Sequence, residues 1–223
     1  QETDDNFIEA YRATVDRSAE DWIKALTELK NKLENGKFRE KFTFAQLLAF
    51  DFSRHLYQPL IYLGNQDVVQ LSPVSLNEGE RDFVQDLKKH FQKEQPWFAD
   101  KELFLLRNQS RGKGVGFFDE GHFFPDFILW LIHGQQQYIS FVDPKGLGRV
   151  HGFGDPKIKF SKTIKEIEQR LADPSVILNA FIVSNTPRAE VAWWQHGAAP
   201  EQDFNNHHVL FQKDDKETYI GAL

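Results

Sequence analysis

The hydrophobic positions along the chain change period, and the expected elements follow from that change. Ile23, Leu26, Leu29 and Leu33, with Lys30 on the same side, form a stripe at helical spacing, and Asn35-Gly36 follows as a stop signal. From about Thr3 to Tyr62 the pattern is read as helical. Within it the aromatic run FTFAQLLAFDFSRHLYQPLIYL, broken at Pro59, predicts a further helix followed by a short strand. Pro73 to Asn77 marks a junction. It divides the chain into a helical N-terminal region, 1–72, and a mixed region, 73–223.

The mixed region opens with a helix from about Glu78 to Phe91, whose apolar stripe is Phe83, Val84, Leu87 and Phe91. Glu80 lies on the same side, three and four residues before Phe83 and Val84. LFLLRN, from Leu103 to Asn108, predicts a strand, and a glycine-rich basic turn follows. FILWLI and YISFV then form two strands of a hairpin, and GLGRVHGFGDP is a loop. A helix is expected over Ser161–Leu171 with Ser161 as its N-cap, and VILNAFIVS as a buried strand. The order αβββαβ points to an α/β (α+β) fold with a mixed central sheet flanked by helices. VAWW and NNHHVLFQ in the tail are expected to add edge strands.

Composition narrows the class. A chain of 223 residues with 40% hydrophobic and 27% charged residues is ordinary for a globular protein. The longest apolar runs are far short of a membrane span, and no signal-peptide pattern opens the chain. With no cysteine there is neither a disulfide framework nor a thiolate metal site, which suits a cytoplasmic protein. The lack of any Met, initiator included, suggests a segment of a longer chain, or modified methionines missing from the written sequence. A net charge of -6 argues against wholesale coating of nucleic acid. The charge is uneven, however. Lys145, Arg149, Lys157, Lys159, Lys162 and Lys165 face one acid, Asp155, and Arg107, Arg111 and Lys113 form a second basic patch. Local potential of this kind is what a phosphate backbone feels.

The hairpin carries the candidate chemistry. If Gly134-Gln135 is a two-residue type II′ turn, His133 pairs with Gln136, and counting outward sets Asp126 opposite Asp143. Opposed side chains share a face, and Lys145 returns to it two residues on. Two carboxylates so placed repel unless something positive lies between them. A divalent cation with oxygen ligands meets that need, since Mg²⁺ takes one or two carboxylates plus waters and substrate phosphate.

Pro125-Asp126 followed by Asp143-Pro144-Lys145, the two aspartates seventeen positions apart, resembles the bipartite signature of the PD-(D/E)XK nuclease superfamily. The wording FFPDFILWL…ISFVDPKGL is further similar to nuclease domains of restriction-type helicase proteins. The resemblance covers roughly residues 76–184 and implies a restriction-endonuclease-like αβββαβ core, here with an N-terminal helical extension. It implies a Mg²⁺-dependent endonuclease acting on DNA, with Mn²⁺ as substitute metal and motor domains in the same longer chain, and no role for a membrane. Asp126 and Asp143 would be metal ligands, with the Pro144 carbonyl available as another, and Lys145 would orient the attacking water. The helix glutamate of the family would fall on Glu80, with Glu78 as substitute. Pro144 departs from the usual pattern by removing one N–H, tolerable at a strand end.

The plainer readings of the same residues are specific too. Asn77 to Glu80 fits a capping box, and Asp143 fits a turn acid before proline. Glu120 is a lesser site candidate, while His122, His133 and His151 fit surface or loop positions. His207-His208, adjacent on a strand, would point to opposite faces, and Trp193-Trp194 fit packing better than base stacking. Arg149, Lys157, Lys159, Lys162 and Lys165 are expected to hold the DNA backbone. The alternative function is a catalytically silent nucleic-acid-binding or docking module on the same fold.

Overall fold

The computed structural model describes residues 11–38, 41–52, 60–108, 114–117, 123–150, 152–191, 193 and 200–223, without the side chains of Arg149 and Glu217. The chain divides into two compact units, Gln1–Arg81 and Asp82–Leu223.

In the first unit β1 (Arg12–Val15) precedes α1 (Glu20–Glu34), and β2 (Lys41–Phe44), β3 (Leu47–Phe50), β4 (Leu60–Tyr62) and β5 (Val69–Ser72) follow. The helix ends where the stop signal predicts: Asn35 caps it and Gly36 takes φ +61°. Glu20 and Asp21 in its first turn and Lys32 in its last both suit the helix dipole. Leu29 joins Phe42, Leu47, Ala49, Ile61, Leu63 and Val69 in one core.

The expectation of a helical N-terminal region is corrected here. Among the described residues this unit holds one complete helix, the first turn of a second and five strands, paired β1 with β5 and β2-β3-β4 in order. FTFAQLLAF is a hairpin, with Phe42 buried between exposed Lys41 and Thr43 and paired with Ala49. The period there is two, and the turn is made by Ala45 at φ +48°, without the glycine or asparagine that would have announced it. The short strand after Pro59 is present as β4.

α2 (Glu78–Lys93) begins after the Pro73–Asn77 junction, with its first turn in the first unit. The second unit continues with α3 (Gln95–Phe98), β6 (Lys101–Arg107), β7 (Phe127–His133), β8 (Gln136–Lys145), α4 (Pro156–Leu171), β9 (Val176–Ser184), α5 (Glu201–Asn206), β10 (Val209–Phe211) and α6 (Gln212–Asp215). Its five-stranded sheet runs β10-β9-β8-β7-β6. β6, β7 and β8 are antiparallel neighbours, and β8, β9 and β10 are parallel. The sheet is mixed, and the order helix, three strands, helix, strand is the one predicted, with the short α3 added.

Two helices cover opposite faces. Phe160 and Ile164 of α4 pack with Ile128, Phe141, Leu178 and Ala180. Phe83 of α2 lies 5.1 Å from the ring of Phe127, which points the other way from Ile128 because side chains alternate along a strand. Phe83 and Phe160 are both fully buried, so truncating either to Ala is expected to cost about 3–5 kcal/mol.

The start of α4 differs from the expectation. Asp155 caps the helix, accepting from Lys157 N at 2.9 Å, and Pro156 opens the first turn. Ser161 is instead a buried residue inside the helix, its hydroxyl donating to Ile158 O at 2.9 Å. In the tail, NNHHVLFQ supplies the end of α5 and the parallel edge strand β10, while Val191 and Trp193 of VAWW lie outside strands. Among the described residues no helix is long and apolar enough to cross a membrane.

Candidate active site

The hairpin has the register that its turn chemistry predicts. Gly134 takes φ +61°, as the first position of a type II′ turn requires, and His133 pairs with Gln136. The last pair of the ladder is Phe127 with Val142, so one further step sets Asp126 opposite Asp143. Backbone groups fix the kind of pair. Asp126 O accepts from Asn108 N at 2.8 Å, on the β6 side, and Lys145 O accepts from Asn185 N at 3.2 Å, on the β9 side. Asp143, two residues before Lys145, also directs its backbone toward β9. Asp126 and Asp143 therefore face each other with no bond between their backbones, the arrangement in which Cα atoms approach to about 4.5 Å and side chains are nearest.

Both acids project from the sheet face covered by α4, as does Lys145 at the end of β8. Asp143 is 4% exposed and Asp126 is half-buried. Lys145 Nζ stands 3.3 Å from Asp143 Oδ2, and Lys157 Nζ, from the first turn of α4, stands 3.7 Å from the same oxygen. Both are ion pairs, with Lys145 the nearer, and neither ammonium meets this buried oxygen in good hydrogen-bond geometry. Burial pulls the Lys145 ammonium below the usual lysine range; Asp143 opposes that pull and the charge of Lys157 adds to it.

Continuing the register sets Pro144 opposite Pro125, which has no N–H to give its carbonyl. Gly146 follows Lys145 at a crowded point, where a Cβ would meet Asn185 Oδ1 at 3.1 Å and Thr186 Oγ1 at 3.3 Å. The oxygen ligands at this end of the hairpin are thus two carboxylates on one face and a backbone carbonyl in the plane of the sheet, all hard atoms suited to Mg²⁺ or Mn²⁺. Asp143 Oδ2, which already draws two ammonium groups, fits a cation ligand. Among the described residues no group of three or more His, Asp, Glu or Cys side chains gathers as a metal cluster.

Glu80 forms the capping box: its Oε2 accepts from Asn77 N at 3.1 Å, and its N donates to Asn77 Oδ1 at 3.0 Å. It is 7% exposed, on the side of the stripe, and Glu78 points outward with Arg81 Nη2 3.8 Å away. Capping is the role that these contacts give Glu80.

The five basic residues expected at DNA separate into different situations. Lys157 is bound to the site carboxylate. Lys159 and Lys162 are exposed on α4, and Lys165 pairs with Glu168 at 3.0 Å. The Arg149 side chain lies outside the described residues. Of the other candidates, His133 pairs with Asp100 at 3.0 Å, His207 stacks on Phe153, and His208 stacks on Phe181 while its Nδ1 faces Ala180 O at 3.1 Å. Burial holds the His208 imidazole below its ordinary range. Trp193 packs on a core that includes Phe204. Glu120, His122, His151 and Trp194 lie outside the described residues.

Sequence reasoning assigned Lys157 to the DNA backbone and missed its place beside Asp143. Asp155-Pro156 was the available signal: an N-cap acid before proline starts a helix there and puts Lys157 in its first turn. No protein-family model matches this chain, and comparison with curated proteins and with solved structures likewise gives no match.

Proposed function

We propose that the second unit is a divalent-metal-dependent deoxyribonuclease that hydrolyses phosphodiester bonds, with the restriction-endonuclease-like core of the PD-(D/E)XK superfamily. One observation carries the reading: the β7–β8 register, extended one step past Phe127–Val142, sets Asp126 against the buried Asp143, with Lys145 on the same face and 3.3 Å from its Oδ2. The order α2, β6, β7, β8, α4, β9 around a mixed sheet supports it.

In this reading Asp126, Asp143 and the Pro144 carbonyl hold Mg²⁺, or Mn²⁺ in its place. A bound divalent ion lowers the pKa of its water and neutralises charge on the scissile phosphate. Lys145 orients the attacking water and donates to a phosphate oxygen as charge builds there. The exposed Lys159 and Lys162 contact the DNA backbone, which carries no base information, so sequence choice would come from elsewhere. Motor domains in a longer restriction or defence protein are the partners that the hairpin wording suggests.

The silent DNA-binding module has a specific observation in its favour, because two lysines already neutralise Asp143. Plasmid nicking separates the two. Wild-type protein should relax supercoiled DNA in Mg²⁺ or Mn²⁺ and not in EDTA, and Asp126→Ala or Lys145→Ala should abolish it. DNA binding without nicking in either metal would favour the silent module.

A further inference from the structure

Asp143 has two counter-ions of different kinds. Lys145 lies on the same strand, two residues on, and its side chain is 19% exposed. Lys157 reaches the same oxygen from α4, across an intervening loop, and its side chain is 46% exposed. Its backbone is fixed by the Asp155 cap, but its stem is flexible and open to water. A lysine is also out of place there. The first turn of α4 contains no acid, and the positive end of a helix dipole repels an ammonium. The Asp155 cap offsets part of that field at the backbone, and Asp143 Oδ2, 3.7 Å from the ammonium, is the carboxylate that compensates the side chain. A second seat lies close by, since the ammonium is 5.8 Å from the centroid of the Phe123 ring, within cation–π range.

We infer that Lys157 is an exchangeable counter-ion of the site, an inference that rests on the proposed metal reading. Without metal it shares Asp143 Oδ2 with Lys145 and keeps the buried carboxylate neutralised. A divalent ion taking that oxygen competes with Lys157 and displaces its ammonium toward Phe123 and the solvent. Lys157 thereby weakens metal affinity and guards the metal-free fold, while Lys145, held by its strand, stays for the chemistry.

The test is Mn²⁺ titration by calorimetry, with thermal melting in EDTA, of wild type, Lys157→Met, Lys157→Arg and Lys159→Met. Removing one positive charge beside a dication in a partly hydrated site should tighten Mn²⁺ binding roughly three- to tenfold in Lys157→Met. The same variant should melt lower than wild type in EDTA. Lys157→Arg should stay near wild-type affinity. Lys159→Met loses an equal charge without contact with Asp143, and its affinity should change less than that of Lys157→Met. Wild-type or weaker affinity in a folded Lys157→Met would overturn the inference while leaving the metal site standing, and so would an equal gain in Lys159→Met. If neither wild type nor Lys157→Met binds Mn²⁺, the metal reading falls and this inference with it.

Discussion

Replacing Asp143 by Asn in metal-free protein is predicted to destabilise it. Two opposed aspartates considered alone lead to the reverse expectation, since removing one relieves their repulsion. The structure changes the balance, because Asp143 Oδ2 stands 3.3 Å from Lys145 and 3.7 Å from Lys157. At an effective dielectric of about 20, one unit pair at that separation is attracted by roughly 5 kcal/mol. Desolvation of both groups offsets much of this, yet removing one partner of a buried pair still typically costs about 3–5 kcal/mol by stranding the other charge. Lys145 retains 19% and Lys157 46% exposure. That residual hydration lowers the expected loss to roughly 2–3 kcal/mol. For a chain of this size it corresponds to a fall in Tm of about 5–10 °C. The assay is thermal denaturation in EDTA at low ionic strength and neutral pH, with Asp143→Asn/Lys145→Met beside the single variant. The double variant should recover most of the loss, because it removes the stranded ammonium. If Asp143→Asn melts at or above wild type, repulsion from Asp126 dominates and the counter-ion argument is wrong.

Other positions give independent tests. Glu80→Gln should lose no more than about 0.3 kcal/mol, since Gln also completes a capping box, whereas Glu80→Ala should lose about 1 kcal/mol; equal losses in thermal melts would refute the capping role. Asp86 accepts a hydrogen bond from Tyr219 at 3.1 Å, and burial raises its carboxyl above the ordinary range. Its folded pKa exceeds the unfolded value, so stability is full below the unfolded pKa and is lost as pH rises through the folded one. Asp86→Asn should therefore raise Tm at pH 7 and gain little near pH 3, as melting at both pH values would show; a larger gain in acid contradicts the sign. Lys159→Gln/Lys162→Gln should weaken DNA binding and flatten its dependence on log salt by up to about 0.9 for each phosphate no longer neutralised. An unchanged slope in a filter-binding or anisotropy series would mark those lysines as a solvated face.

The parts of this fold that are legible in the sequence are those where local chemistry and period agree. Gly134 in a two-residue turn between two apolar runs determines the hairpin register, and that register, extended one step, sets Asp126 opposite Asp143. α1 and α2 are legible for the same reason, an apolar stripe ended by Asn35-Gly36 in one case and opened by a capping box in the other. The β2–β3 hairpin is hidden because Ala45 adopts a positive φ without a turn signature, and its phenylalanines fit either period. The start of α4 is hidden because Asp155-Pro156 also fits the end of a loop. That ambiguity conceals Lys157, whose role depends on a helix terminus meeting a strand end 14 residues away in sequence. Electrostatic balance at the site is beyond one-dimensional reading for the same reason: the repulsion is written in the hairpin, and one of its two compensating charges comes from another element.

Mn²⁺ binding is the most direct test of the central claim, that Asp126 and Asp143 form a divalent-metal site. Calorimetric or EPR titration of wild type, Asp126→Asn and Asp143→Asn in the same buffer requires no DNA and no partner domain. The account predicts saturable binding by wild type and its loss in each aspartate variant that remains folded. Wild-type protein that takes up no Mn²⁺, or aspartate variants that bind it as well as wild type, would contradict the account.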